Sequence, residues 1–191
     1  MRAALRAYRC GQAEGYFGSS LLTIIDYSLP STEKRLWVID LVRRRLVFHE
    51  LVAHGSNSGG NVATDFSDRP GSRMSSIGLF RTAETYLGKH GLSLRLDGLE
   101  PGYNQRARER SIVLHGAPYV SQAAIGQLNQ LGRSWGCPAV STAANRSIID
   151  RIGGGTALFV YYPDSRWLRE SEFLHCPAAT QLARRDESSL R

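Results

Sequence analysis

The sequence predicts a single α+β domain, mainly β with helices at its periphery. Three observations carry that class. Seven strand-like runs stand against three helix candidates. Several of those runs are too continuously apolar to be half-exposed, which suggests packing on both faces. The chain has 191 residues, enough for one domain with a full core, and its 42% hydrophobic content is ordinary for a globular protein.

The elements follow in order. Residues 3–12 form an amphipathic helix, with Leu5 and Tyr8 at helical spacing. Strands are expected at 21–26 and 36–41, separated by a turn at Pro30 and a Ser/Thr cluster. A third, 46–54, is rich in branched and aromatic residues. Residues 55–76 are rich in glycine, serine and asparagine and show no periodicity, long for an idle connection. They read as a loop bordering a cleft, packed by Phe66 and turned at Pro70-Gly71. No Lys-Ser/Thr follows Gly59-Gly60, which excludes a phosphate-binding P-loop. Further strands are expected at 77–82, 93–96, 112–115 and 157–162, and helices at 121–131 and 142–152. Ser141 or Thr142 caps the last helix and Gly153-Gly-Gly155 stops it. The domain is expected to span 1–182, with a polar, disordered tail over 183–191.

Composition excludes some functions. No apolar run approaches the ~20 residues that a bilayer span needs, so no transmembrane segment is expected. Net charge is +7, carried almost wholly by arginine, with Lys34 and Lys89 the only lysines. The arginines are scattered and no aromatic stripe interleaves them, so no nucleic-acid partner is expected. No histidine–cysteine spacing matches a usual ligand pattern, and neither a metal nor a cofactor is expected.

The chemistry concentrates in two segments. Ser111-Ile-Val-Leu-His-Gly116 reads as a buried strand ending in a His-Gly step. Gly132-Arg-Ser-Trp-Gly-Cys-Pro138 reads as a tight turn presenting a single cysteine. A thiol is mostly protonated at neutral pH and needs a base or a positive field beside it. A histidine supplies one, because its ordinary pKa lies near neutrality. Cys137 as nucleophile and His115 as base make a Cys-His acyl-transfer pair, in which His115 is expected to lower the thiol pKa. In the turn, the N–H groups of Trp135, Gly136 and Cys137 cannot all enter a ladder, and such groups build an oxyanion hole. His54 also ends a strand before a glycine; its readings are a structural hydrogen bond, a place lining the cleft, or the base in place of His115. His90 is a loop residue placed to touch substrate.

The chain resembles the murein L,D-transpeptidase catalytic domain family, the YkuD-type cysteine transpeptidases. The resemblance rests on strings running through nearly the whole chain: Asp26–Ser31, His54–Gly59, Gly71–Gly78, Thr85–Gly91, Ser93–Glu100, His115–Val120 and Gly132–Pro138. It implies a single-domain mixed β-sandwich with the site at one rim. It implies Cys137 as nucleophile, His115 as general base and acid, the Gly116 carbonyl orienting His115, and the N–H groups of Gly136 and Cys137 in the oxyanion hole. Arg133, Ser134, Trp135, His54, Tyr86 and Tyr119 are candidate substrate-binding residues, Arg133 for a substrate carboxylate or a cleft-shaping ion pair. Arg95 and Asn104 stand in similar strings. The chain departs from the family in carrying Trp135 where most relatives have a second histidine.

The implied reaction is acyl transfer on peptidoglycan stem peptides, through a thioester to an acceptor amine. The alternatives are an L,D-carboxypeptidase that hydrolyses the same acyl-enzyme, and a non-catalytic wall-binding module. The implied location is the cell envelope or periplasm. The N-terminus carries no secretory apolar region, so a trimmed or short-start form is expected. In an exported protein the remaining cysteines, Cys10 and Cys176, suggest a disulfide, with two buried free thiols as the alternative. The sequence leaves the oligomeric state open.

Overall fold

The computed structural model describes residues 1–177; the tail expected over 183–191 lies outside them. Eight strands form one mixed sheet: β1 (Leu21–Asp26), β2 (Leu36–Asp40), β3 (Arg45–Glu50), β4 (Gly78–Gly88), β5 (Gly91–Gly98), β6 (Val113–Ala117), β7 (Ala139–Ser141) and β8 (Ala157–Tyr161). Among the described residues five helices surround it: α1 (Arg2–Ala13), α2 (Gln122–Leu128), α3 (Thr142–Ile152), α4 (Ser165–Glu170) and α5 (Glu172–His175). The architecture is mainly β with peripheral helices, as the sequence predicts.

The strand order is β3-β2-β1-β8-β4-β5-β6-β7. The pairs β1–β8 and β6–β7 are parallel and the rest antiparallel. Central strands are buried on both faces: every residue of β1 but the last is enclosed, as is all of β6. This explains their unbroken apolar runs. Helix α1 turns Ala4, Ala7, Tyr8, Cys10 and Gly11 inward and packs on β8 and α5.

Three expectations on elements are corrected. The run 46–54 is not one strand. Pairing with β2 ends at Glu50, and the chain crosses to the opposite sheet edge. There Ala53 N–H donates to the Ala139 carbonyl at 2.8 Å and Ala139 N–H donates back at 3.3 Å. The sheet therefore curls on itself, and each edge is partly covered by the other. Strand β4 runs past Thr82 to Gly88, because a bulge between Thr82 and Thr85 lets its pairing with β5 resume. Helix α2 stops at Leu128, where Asn129 takes the left-handed conformation (φ 54°).

Strand β7 and helices α4 and α5 are additional. None has the length to show a period of its own. Helix α4 is tied down by a buried network. Glu100 Oε2 accepts from Trp167 Nε1 at 2.8 Å, and Glu100 Oε1 from the Leu79 N–H at 2.6 Å. Asn104 completes it, donating to the carbonyls of Ile77 and Leu79. Asn104 is thus held in the interior by the fold. Cys10 of α1 and Cys176, just past α5, are paired as a disulfide with Cα atoms 6.2 Å apart.

Candidate active site

Strand pairing places the two candidate side chains, His115 and Cys137, at one rim. The register aligns His115 of β6 with Ala139 of β7, two residues after Cys137. His115 N–H donates to the Pro138 carbonyl at 3.4 Å. His115 is buried, and its Nδ1 lies 2.9 Å from the Gly116 carbonyl oxygen. A carbonyl only accepts, so Nδ1 carries the proton and Nε2 keeps a free lone pair.

Cys137 ends a turn that is braced from several sides. Ser134 Oγ donates to the Cys137 carbonyl at 2.6 Å and accepts from Gly136 N–H at 3.1 Å. Ser75 Oγ donates to the Gly136 carbonyl at 3.1 Å, and Ser134 N–H donates to the His54 carbonyl. Gly136 has φ +123°, and a Cβ there would meet the Met74 carbonyl at 2.7 Å. Only glycine fits this crossing. The bond from Ser134 corrects one expectation: Gly136 N–H is not free to receive an oxyanion. The N–H groups of Trp135 and Cys137 have no hydrogen-bond partner among the described residues, so Cys137 N–H is the open donor beside the thiol.

The thiol rests on β6 and the residues before it. Val113 N–H donates to Sγ at 3.5 Å, and Sγ donates to the Ser111 carbonyl at 3.7 Å. It is therefore held one i to i+2 repeat, about 7 Å of strand, before His115, and no hydrogen bond joins the two. Burial pushes the thiol pKa up, against the opposing pull of the Val113 N–H, Arg110 and Lys89. Burial pushes the His115 pKa down, the Gly116 bond opposes it, and His90 and Lys89 add to the lowering. Both shifts favour the neutral forms. The lowering of the thiol pKa that was expected from His115 comes here from the Val113 N–H, Arg110 and Lys89.

The other candidates separate by position. Trp135 is 67% exposed beside Cys137. Tyr119 packs over Gly132, and its pKa is pushed up to about 12 by burial and then by the neighbouring Cys137. Tyr86 shares a row across the sheet with Ser93 and His115, two strands away, and carries the Arg95 guanidinium 4.6 Å from its ring centroid. Ser134 is buried and shapes the turn. Arg133 is engaged by the Gly59 carbonyl at 2.6 Å, so it braces the 55–76 loop. His54 is fully enclosed. Its Nδ1 accepts from Arg35 at 2.7 Å, while Nε2 faces the backbone of Gly59 and Gly60 without a formed bond. Burial and the Arg35 charge push its pKa down to about 4. His54 supports the turn from behind and makes no surface.

Sequence reasoning missed three contributors. Arg110 looks like one more charge in Arg106-Ala-Arg-Glu-Arg110, yet it is buried. It donates to the carbonyls of Ser67 and Met74 and to the hydroxyls of Ser76 and Ser72, beside Asp68 at 3.7 Å. Tyr27 is buried beneath the site, with its hydroxyl donating to the Ala53 carbonyl. Lys89 stands at the β4–β5 tip with His90, whose ring stacks on His115 at 4.3 Å. Only the isolation of Lys89 as one of two lysines marks it in the sequence.

The curled sheet thus carries a strand-end imidazole and a braced cysteine turn at one rim. The family described as L,D-transpeptidase catalytic domain matches residues 1–161, and the chain belongs to it. No curated protein matches the chain. Among solved structures it is similar to an L,D-transpeptidase from Mycobacterium smegmatis (12% identity, 76% of this chain and 60% of that one, TM-score 0.48). It is also similar to Bd1075 from Bdellovibrio bacteriovorus (16%, 91% and 58%, 0.46). A third is an L,D-transpeptidase from Stackebrandtia nassauensis (13%, 83% and 65%, 0.44). The chain spans about 60% of the length of the first of these.

Proposed function

We propose that this protein is a peptidoglycan L,D-transpeptidase acting through a Cys137 thioester, in the cell envelope. The observation that carries this reading is His115. Its Nδ1–H is fixed on the Gly116 carbonyl, so its Nε2 lone pair is free on the rim that presents Cys137.

The thiol leaves the Ser111 carbonyl by rotation about its Cα–Cβ bond and gives its proton to His115 Nε2. Sγ adds to the carbonyl of the amide between the third and fourth stem residues. The oxyanion forms against Cys137 N–H. The C–N bond breaks, and His115 returns the proton to the departing D-amino acid. An acceptor amine then attacks the thioester, and the thiolate leaves and is reprotonated. Because the pair starts neutral, His115 acts as a general base and not as one half of a preformed ion pair.

A carbapenem should add covalently to Cys137, seen as a mass shift on the peptide containing it. Cys137→Ser is nearly isosteric, and should abolish both the adduct and turnover while leaving the fold intact. Purified stem peptides should yield a cross-linked dimer by mass spectrometry. A trimmed tripeptide as sole product would assign the carboxypeptidase, and unchanged turnover in Cys137→Ser would remove the nucleophile.

A further inference from the structure

Beside Cys137 the surface carries an arrangement that the acyl-transfer chemistry does not use. The exposed Trp135 ring has two cations over it. The Arg73 guanidinium carbon lies 4.6 Å and the Lys89 Nζ 5.4 Å from its centroid. The cations come from different parts of the chain, Arg73 from the 55–76 loop and Lys89 from the β4–β5 tip. Both are exposed, and among the described residues no carboxylate pairs with either. Elsewhere on the surface arginines find partners: Arg108 binds Glu84 and Asp97, and Arg166 binds Glu170.

The position is also held against a conformational cost. Arg73 is a non-glycine residue in the left-handed region, with φ +56°. Bonds on either side fix it there. Asn57 donates to the Ser72 and Arg73 carbonyls, and Arg110 to the Met74 carbonyl. A strained residue fixed so firmly at the mouth of a site points to a ligand-directed role. Two positive charges held 4.6 and 5.4 Å from one indole centroid repel each other, and an anion bound beside them relieves that repulsion. The indole supplies a flat apolar wall for the carbon next to the charge.

We propose that Arg73, Lys89 and Trp135 form a carboxylate-binding subsite at the mouth of the Cys137 site, selecting peptides with a free carboxylate close to the scissile amide. It takes the role that Arg133, engaged by Gly59, does not fill. The inference rests on Cys137 being the nucleophile, and its test separates the two.

The test compares alkylation of Cys137 by iodoacetate, which carries a carboxylate, with alkylation by neutral iodoacetamide. The ratio of the two rates cancels any change in the thiolate fraction. The iodoacetate-to-iodoacetamide ratio should exceed that of glutathione. It should fall about two- to five-fold for each of Arg73→Gln and Lys89→Gln, and Arg73→Lys should restore most of the loss. Added salt should shrink it too. A ratio equal to that of glutathione and unmoved by the double variant overturns the subsite while leaving Cys137 as nucleophile. Failure of both reagents to modify Cys137 overturns both readings. With stem peptides, amidating the terminal carboxylate or the side-chain carboxylate of the third residue identifies the group bound. The amidation that matters raises KM in the native protein and has no further effect in the double variant. If neither amidation changes KM, the subsite is overturned as a substrate contact.

Discussion

His115 and His90 are stacked rings of which only the first is buried. A positive charge on His90 or Lys89 makes a proton on His115 less favourable, and burial acts in the same direction. In the proposed mechanism His115 accepts the thiol proton and must be neutral, so the acid limb of the acylation rate should lie below the ordinary imidazole range. His90→Ala removes one of the lowering charges and should move that limb upward. A pH profile of carbapenem acylation measures it, and an unmoved limb would exclude the coupling. His54 makes a different pH statement, about stability. Its folded pKa is about 4 against an ordinary 6.5. As pH falls through that window the unfolded chain takes up a proton that the folded one refuses, so stability declines, by up to about 3 kcal/mol once pH is below 4. Urea midpoints at pH 7.5 and 4.5 test this. His54→Asn, which keeps an acceptor for Arg35, should flatten the difference.

At the scale of elements, the cysteine turn is positioned by a loop that has no regular structure of its own. Arg110 replaces the missing ladder by donating to four groups between Ser67 and Ser76. Arg110→Met would strand those acceptors and leave Asp68 buried without its cation. The expected loss is about 3 kcal/mol of unfolding free energy. The Cys137 thiol pKa should rise further, because Arg110 is one of the charges that lower it. Chemical denaturation and the pH dependence of iodoacetamide alkylation measure the two effects. A stable variant with unaltered alkylation would show that the loop holds without its brace. This element also marks a limit of sequence reading. The string Gly71–Gly78 signals a special loop, yet nothing near Arg110 says that it folds under that loop.

At the scale of the molecule, α1 and the C-terminal helices close over one side of the sheet, joined by Cys10 and Cys176. The bridge spans a sequence separation of 166 residues. A loop of that length restricts the unfolded chain by an amount worth about 5 kcal/mol in the chain-entropy account. Reduction, or Cys10→Ser, should therefore lower Tm sharply and leave the Cys137 chemistry unchanged at temperatures where the fold persists. Thiol titration of the oxidised native protein should return one reactive group. A count of three would remove the bridge and with it this part of the stability.

The sequence by itself determined the mainly β class, most of the strands and the two segments that form the candidate site. These are local properties. A strand enclosed on both faces must be apolar along its whole length, and Gly136 can turn where no other residue can. The family resemblance implies that the Gly116 carbonyl orients His115, and the structure has that bond within two residues. Only the tertiary structure decided the rest. Ala53 leaves β3 to pair with Ala139 86 positions later, which ends a strand that the apolar pattern would continue. Ser134 takes the N–H of Gly136, which leaves Cys137 N–H as the open one of the two expected donors. Arg133 faces inward to Gly59, and Arg73 and Lys89 reach Trp135 from distant segments. The physical reason is common to these cases. A charge or a polar backbone group is satisfied by whatever the curled sheet brings beside it, and that neighbour is set by long-range register, which the local pattern of residues does not encode.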